Sequence, residues 1–310
     1  MTEKGRFAPS PSGRMHLGNL FSFLMAWLDA RAAGGNVVLR MEDLDPDRTG
    51  GPWSAQLADD LRWLGLDWDE GYGVGGPHGP YEQRARTAHY DEAFRVLQAK
   101  GLVYPCWCSR AERLAASAPH PGEERDPGVC PCRRLSRSER EARSMVKAPA
   151  WKAAVPHEAV AFTDLHLGER SYHLAHDCGD FILRRADGVY GYQLAVTVDD
   201  GLMGVTRVVR GRDLVDSTPW QLWLMGELGF RPPVYGHVPM LLSKDGRRLS
   251  KRERDLDVGV LRARIRPQEL AGGLAALAGL APKGTSCEPK DLIWNFSWAN
   301  VQELDIVMDL

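Results

Sequence analysis

The stretch Arg6-Phe7-Ala8-Pro9-Ser10-Pro11-Ser12-Gly13-Arg14-Met15-His16-Leu17-Gly18-Asn19 decides how the rest of the chain is read. It predicts a short strand over Gly5 to Ala8 that breaks into a loop, because prolines cannot extend a ladder and glycine admits positive φ. Beyond the loop, Leu20, Phe23, Leu24, Trp27 and Leu28 recur with the spacing of an amphipathic helix, which Gly34-Gly35 ends. His16 and Gly18 therefore sit beside a helix N-terminus, where unpaired N–H groups and the macrodipole favour a phosphate. Taken alone, the same residues read equally well as a surface loop with a solvated histidine.

Asn36 to Met41 is a continuous apolar run, as a buried parallel strand should be, and it ends in Glu42-Asp43-Leu44-Asp45. Strand, helix, strand is a right-handed crossover whose ligands gather outside the carboxyl ends of the strands, so Ala8, Ser10 and Glu42 share one rim. Asp43 and Asp45 read as loop acids or caps. Helices are expected over 52–64 and 82–100, closed by Gly65 and Gly101. Strand-like runs follow at 181–183, 194–198 and 205–209, the last delivering Arg210. Ser217-Thr218-Pro219 caps a helix whose Trp220, Trp223, Leu224 and Leu228 read as core. A last strand over 235–242 leads into the basic loop Lys244 to Arg254, and a helical tail is expected over 258–280. Trp294, Phe296 and Trp298 are expected to pack something down.

The 310 residues, 44% hydrophobic and 26% charged, describe an ordinary soluble enzyme of one large or two modest domains. A formal net charge of −2 carries no global nucleic-acid signal, although basic runs occur at Arg133, Arg134 and Arg137, at Arg247 to Arg254, and at Arg262, Arg264 and Arg266. The N-terminus has no apolar signal-peptide core, and the longest apolar run, 270–281, is too short to span a bilayer. The chain is expected to be cytoplasmic, away from membranes, and a monomer.

Four of the six cysteines form two clips, Cys106-Trp107-Cys108 and Cys130-Pro131-Cys132, with 21 residues (109–129) between them. Zn²⁺ takes about four soft ligands in a tetrahedron, which two such clips can supply. A disulfide within a clip would strain the intervening backbone; disulfides across clips are the alternative, one that a reducing compartment disfavours. Residues 102–175 around the clips show no strong helical or strand period and read as a small metal-stabilised module. The domain reading is 1–101 and 176–242 as two halves of a catalytic α/β domain, 102–175 as the insertion, and 243–310 as a loop with a short helical C-terminal region.

Pro-Ser-Pro-Ser-Gly with His16-Leu17-Gly18-Asn19 resembles the "HIGH" signature of class I aminoacyl-tRNA synthetases, and Arg247-Arg248-Leu249-Ser250-Lys251-Arg252 resembles their "KMSKS" loop. Arg40 to Asp45, Gly191 to Asp200 and Val208 to Leu214 extend the likeness to the catalytic half of the glutamyl branch, and in particular to its shortened glutamyl-Q tRNA(Asp) synthetase family. The fold implied is a Rossmann-like parallel sheet of class I synthetase type, with a zinc-binding insertion and a short helical C-terminal domain. The likeness implies that Arg6, Tyr192 and Arg210 hold the side-chain carboxylate of L-glutamate. It places Ala8, Ser10 and Glu42 around the rest of the pocket, with Glu42 facing the α-ammonium. His16, Gly18, Asn19 and Lys251 would bind ATP, which arrives with Mg²⁺; His16 and Lys251 are the catalytic pair.

Three departures from the family pattern stand out. Asn19 replaces the last histidine of the archetypal motif, and Arg248 and Arg252 flank Leu-Ser-Lys, so Lys251 alone is carried over there. Relatives often bind zinc through three cysteines and a tyrosine. No tyrosine lies between Cys108 and Cys132, so Cys130 is expected to complete the set. Only 59 residues (310 − 251) follow Lys251, too few for an anticodon-binding region. The shortened family is similar in this, and it attaches glutamate to the queuosine base in the anticodon of tRNA(Asp). Two other readings stay open. One is a non-catalytic paralogue that binds nucleotide or RNA as a regulator; the other is a nucleotidyltransferase acting on a different acid.

Overall fold

The computed structural model describes residues 2–47, 49, 52–108, 130–244, 246 and 257–308. Lys251, with the rest of the Arg247–Arg252 motif, lies outside the described residues, and so does the stretch between the two cysteine clips.

The loop prolines confine the first strand, β1, to Lys4–Phe7. Helix α1 (Leu17–Ala32) crosses over to β2 (Asn36–Leu39), which pairs in parallel with β1 from Lys4↔Asn36 to Phe7↔Leu39. Helix α2 (Trp53–Leu64) leads to β3 (Glu70–Gly71), parallel to β2 at Val38↔Glu70. Gly71 holds φ at +123°, and a Cβ there would lie 2.2 Å from the Leu39 carbonyl oxygen, so this edge admits only glycine. Helix α3 (Thr87–Ala99) closes the first half and buries Tyr90, Ala93, Phe94 and Leu97.

The inserted segment is more regular than its sequence suggests. Strands β4 (Val103–Cys106), β5 (Ala150–Ala153) and, further on, β8 (Ile182–Arg184) form an antiparallel sheet. Between β4 and β5 lies an exposed helix, α4 (Arg137–Ser144), boxed by Ser136 and Glu139. Strands β6 (Ala159–Asp164) and β7 (Gly168–His173) make a hairpin. The expected lack of a strand period is thus corrected: β6 does alternate, with Val160 and Phe162 half-buried, but an exposed small-residue face hid the pattern.

A second correction concerns 194–198, expected as a strand. It lies inside helix α5 (Tyr192–Leu202), where Leu194 to Asp200 are all buried. A helix enclosed on every side loses its 3.6-residue signature, and its β-branched residues then mimic a strand.

The second parallel unit is β9 (Arg207–Gly211), helix α6 (Thr218–Leu228) and β10 (Val234–Val238), in register from Val234↔Arg207 to Val238↔Gly211. Strand β6 adds to its far side at Tyr235↔Asp164. The two units adjoin at β1 and β9: the Thr206 N–H donates to the Lys4 carbonyl at 2.9 Å, and Arg6 Nη1 donates to the Val209 carbonyl at 3.0 Å. From that junction the crossovers run outward in opposite directions, to β2 and to β10. Such a switch point leaves a crevice at the carboxyl ends of the strands.

The C-terminal segment departs most from expectation. The last strand breaks at Pro239, and β11 (Leu241–Leu242) pairs instead with β12 (Ile306–Val307). The single expected helix over 258–280 is two, α7 (Val258–Arg264) and α8 (Pro267–Ala278), because a residue before proline is driven out of the helical region; Arg266 has ψ 150°. Trp294 is 92% exposed and packs nothing down, whereas Phe296 and Trp298 meet edge to face at 5.7 Å. Among the described residues, no helix is long and apolar enough to cross a membrane.

Candidate active site

The loop after β1 is tied to the end of β2. The Arg40 N–H donates to the Phe7 carbonyl and the Glu42 N–H to the Pro9 carbonyl, each at 2.9 Å. Ala8 and Ser10 thereby line the same edge as Glu42. His16 is the N-cap of α1, and Asn19 Oδ1 accepts from its backbone N–H at 3.0 Å. The imidazole lies over Gly18: a Cβ there would come within 3.1 Å of His16 Cε1. The chain re-enters beside this turn, since Asp257 bridges to His16 and the Val258 N–H donates to the Met15 carbonyl at 3.1 Å.

At the β1/β9 junction the side chains are charged and buried. Arg40, fully enclosed, donates to Asp200 Oδ1 at 2.8 Å and to Glu42 Oε1 at 3.2 Å, and its Nε lies 3.6 Å from Asp199 Oδ2. Burial opposes its charge, but Asp200, Asp199 and Glu42 outweigh burial and raise its pKa. Asp199 is in turn held by Arg86 Nε at 2.5 Å, Gln83 Nε2 at 2.8 Å and the Tyr90 hydroxyl at 2.9 Å. These groups form a rigid charged floor.

Above the floor are groups with capacity to spare. Among the described residues the Arg6 side chain, 5% exposed, makes one hydrogen bond, to the Val209 carbonyl, and a 3.7 Å ion pair to Asp200, and its Nε has no hydrogen-bond partner. Burial lifts the Glu42 carboxyl above its usual range, although Arg40 and Arg6 pull it down. The Tyr192 phenol at the start of α5 is raised by burial and feels Arg210, Glu42, Arg6 and Asp200 together, with no hydrogen-bond partner among the described residues. Arg210 is also 5% exposed. Its Nε donates to His237 Nε2 at 3.1 Å, Nη1 to Gln221 Oε1 at 2.8 Å and Nη2 to Thr218 Oγ1 at 2.9 Å. His237 is enclosed as well, its Nδ1 2.6 Å from Asp164 Oδ2. Burial, Arg210 and Arg6 hold its pKa below the ordinary histidine value against the pull of Asp164.

Of the residues singled out from sequence, Arg6, Glu42, Tyr192 and Arg210 thus cluster within electrostatic reach of one another at the β1/β9 junction; Lys251 is not described. The acids left aside as structural behave so, Asp43 pairing with Arg84 at 3.1 Å and Asp45 with Arg185 at 2.8 Å. Sequence reasoning missed the floor and the support behind Arg210. Arg40, Asp199 and Asp200 were at least inside noticed motifs, while Asp164 and His237 carried no local signal.

The four clip sulfurs lie within 4.8 Å of one another, with Cys106–Cys130 and Cys108–Cys132 separations of 3.6 Å and Cys108–Cys130 of 3.8 Å. Thiolates about 2.3 Å from a tetrahedral zinc are about 3.8 Å apart, and a disulfide needs about 2.05 Å. The set therefore fits a metal of zinc type and not a cross-clip disulfide. Asp180 clamps this module to the rest of the chain, accepting from the Tyr104 hydroxyl at 2.8 Å and from Arg133 Nη1 at 3.1 Å.

The family model for class I tRNA synthetases (E and Q), catalytic domain, matches residues 4–286. A protein of Symbiobacterium thermophilum named glutamyl-Q tRNA(Asp) synthetase is 50% identical over 96% of this chain and 93% of its own length. One of the same name from Nitratidesulfovibrio vulgaris is 48% identical over 98% and 95%. A crystal structure of a glutamate tRNA ligase from Elizabethkingia meningosepticum, in complex with its amino acid, superposes with a TM-score of 0.84 over 99% of this chain and 67% of that one. At 23% identity that likeness speaks to the fold.

Proposed function

Because the chain belongs to the glutamate and glutamine branch of the class I tRNA synthetases, a family of synthetase-type ligases, we propose that it activates L-glutamate with ATP and hands it to tRNA(Asp). The observation that carries this is the cluster of buried polar groups at the β1/β9 junction. Two buried guanidiniums with donors to spare, a phenol with no hydrogen-bond partner among the described residues and a carboxylate that burial keeps raised despite its ion pair with Arg40 stand together. A dicarboxylic amino acid supplies the missing partners. Arg6, Tyr192 and Arg210 take its side-chain carboxylate, a match of planar fork to planar anion, and Glu42 takes the α-ammonium, with Ala8 and Ser10 alongside.

The α-carboxylate then attacks the α-phosphate of ATP. A new P–O bond forms, the bond to the β-phosphate oxygen breaks, and glutamyl adenylate and pyrophosphate result. No residue is modified; the site positions the reactants and neutralises charge developing on phosphate. His16, with Gly18 and Asn19 at the head of α1, and Lys251, six positions before the Asp257 that bridges to His16, hold the Mg²⁺-bound triphosphate. A hydroxyl of the queuosine cyclopentenediol attacks the adenylate carbonyl and releases AMP. The choice of acceptor is drawn from the full-length likeness to relatives named for it. Cys106, Cys108, Cys130 and Cys132 would hold a structural zinc that closes the insertion.

Pyrophosphate exchange without tRNA, dependent on glutamate, is the first test; a folded protein that exchanges only with another acid would overturn the substrate. Labelled glutamate should then pass to queuosine-containing tRNA(Asp) and not to tRNA(Asp) lacking queuosine. Equal transfer to both would overturn the acceptor.

A further inference from the structure

Arg210 is a buried cation with no carboxylate within ion-pair distance among the described residues; its three bonded partners, His237, Gln221 and Thr218, are all neutral acceptors. Asp164 stands one imidazole away, behind His237. We propose that Asp164 and His237 are positioning residues for Arg210, forming a relay that fixes the guanidinium without neutralising it, so that its charge is answered by the amino-acid substrate. The proposal rests on the glutamate pocket described above and concerns what aims it.

The proton inventory follows from the donors. Arginine Nε–H can only donate, so His237 Nε2 must accept and the ring proton sits on Nδ1, where it donates to Asp164 Oδ2. Asp164 cannot swing away, because its Oδ1 accepts from the backbone N–H groups of His166 at 3.0 Å, Leu167 at 2.9 Å and His237 at 3.2 Å. Burial raises its pKa, but the His237 ring and these backbone donors bring it down on balance, keeping it ionised. Of the five N–H groups of Arg210, three are taken among the described residues, which leaves two for a ligand. A carboxylate in direct contact with Arg210 would satisfy it and weaken its hold on substrate. A neutral imidazole orients it and leaves the charge to be claimed.

Asp164→Asn tests the relay. Three backbone donors hold the Oδ1 position, so the amide oxygen stays there and the NH₂ group turns to His237. The ring must then accept at Nδ1 and carry its proton on Nε2, donor against the Arg210 Nε–H. The expected result is a rise of about ten- to a hundredfold in KM for glutamate, with KM for ATP within about twofold. ¹⁵N NMR of His237 should show the switch from the Nδ1–H to the Nε2–H tautomer. An unchanged tautomer with an unchanged glutamate KM overturns the relay. Should Asp164→Asn fail to fold, His237→Leu and His237→Gln decide: glutamine keeps an acceptor for Arg210 and should retain a markedly lower glutamate KM than leucine, and equal values overturn the idea. Arg210→Ala separates the two levels. If it leaves glutamate KM untouched, the pocket reading fails; if it raises that KM while Asp164→Asn does not, the relay fails alone.

Discussion

Strand β9 carries two arginines three residues apart, and they lead opposite lives. At the strand's start, Arg207 grips Asp29 of α1 with Nε and Nη2, both at 2.7 Å, and Trp298 Nε1 adds a third bond to the same carboxylate at 2.8 Å. Its pKa is raised by that hydrogen-bonded partner. At the strand's end, the partners of Arg210 among the described residues are all neutral. The first closes a structure; the second leaves a charge open at the rim where parallel sheets bind ligands. A buried ion is stable when paired and reactive to ligand when it is not.

By that contrast, the two alanine variants fail in different ways. Arg210→Ala should raise KM for glutamate by about a hundredfold or more, the loss of a charge-assisted fork, while ATP KM and thermal stability change little. Steady-state pyrophosphate exchange with each substrate varied in turn reads this directly. Equal effects on both substrates would erase the distinction. Arg207→Ala should do the reverse, lowering unfolding free energy by about 3 kcal/mol, because it leaves the buried Asp29 carboxylate without its cation and with Trp298 as donor, and leaving the ratio of the two KM values unchanged. Denaturant titration alongside the same kinetics is sufficient.

The two arginines also mark how far the sequence could be read. The segment around His16 was legible because prolines and glycines punctuate it, and the cysteine quartet because its spacing suits one chemistry. Helix α5 was not, since burial on all sides removes the polar face on which a period depends. Asp164 and His237 are 73 positions apart and meet through a single register pair between β6 and β10. No local pattern can announce such a contact. Pro267 stands in the sequence as a helix break, and the expected helix over 258–280 runs straight across it. Arg207 and Arg210 look alike in a string of letters, and only their partners tell them apart.

Glu42 sharpens the contrast through pH. Its carboxyl is raised above the ordinary value by burial, against the opposing pull of Arg40 and Arg6. Holding an ammonium needs the carboxylate, so glutamate affinity should be full above this raised pKa and fall as pH drops through it, by up to about tenfold per unit. Free-protein stability should respond with the opposite sign. The folded state binds this proton more tightly than the unfolded chain, so the contribution is present below the unfolded value and is lost as pH rises through the folded one. Glu42→Gln should weaken glutamate binding and flatten its acid limb. An unchanged pH profile of glutamate KM in that variant would remove Glu42 from the pocket.

The smallest effect probes the closed end alone. Trp298 stacks its indole over Gly236, where a Cβ would come within 2.7 Å of the ring, and donates to Asp29. Trp298→Phe keeps most of the ring and removes one donor from a carboxylate that Arg207 still holds. The expected loss is about 1 kcal/mol of unfolding free energy, with no change in KM for glutamate or ATP. In a double-mutant cycle with Arg207→Ala the two changes should couple, since both donors serve one acceptor; with Arg210→Ala they should add, as sites that share no partner do. Coupling to Arg210 instead would mean that the strand transmits strain from its structural end to its ligand end, and the division of labour along β9 would have to be given up.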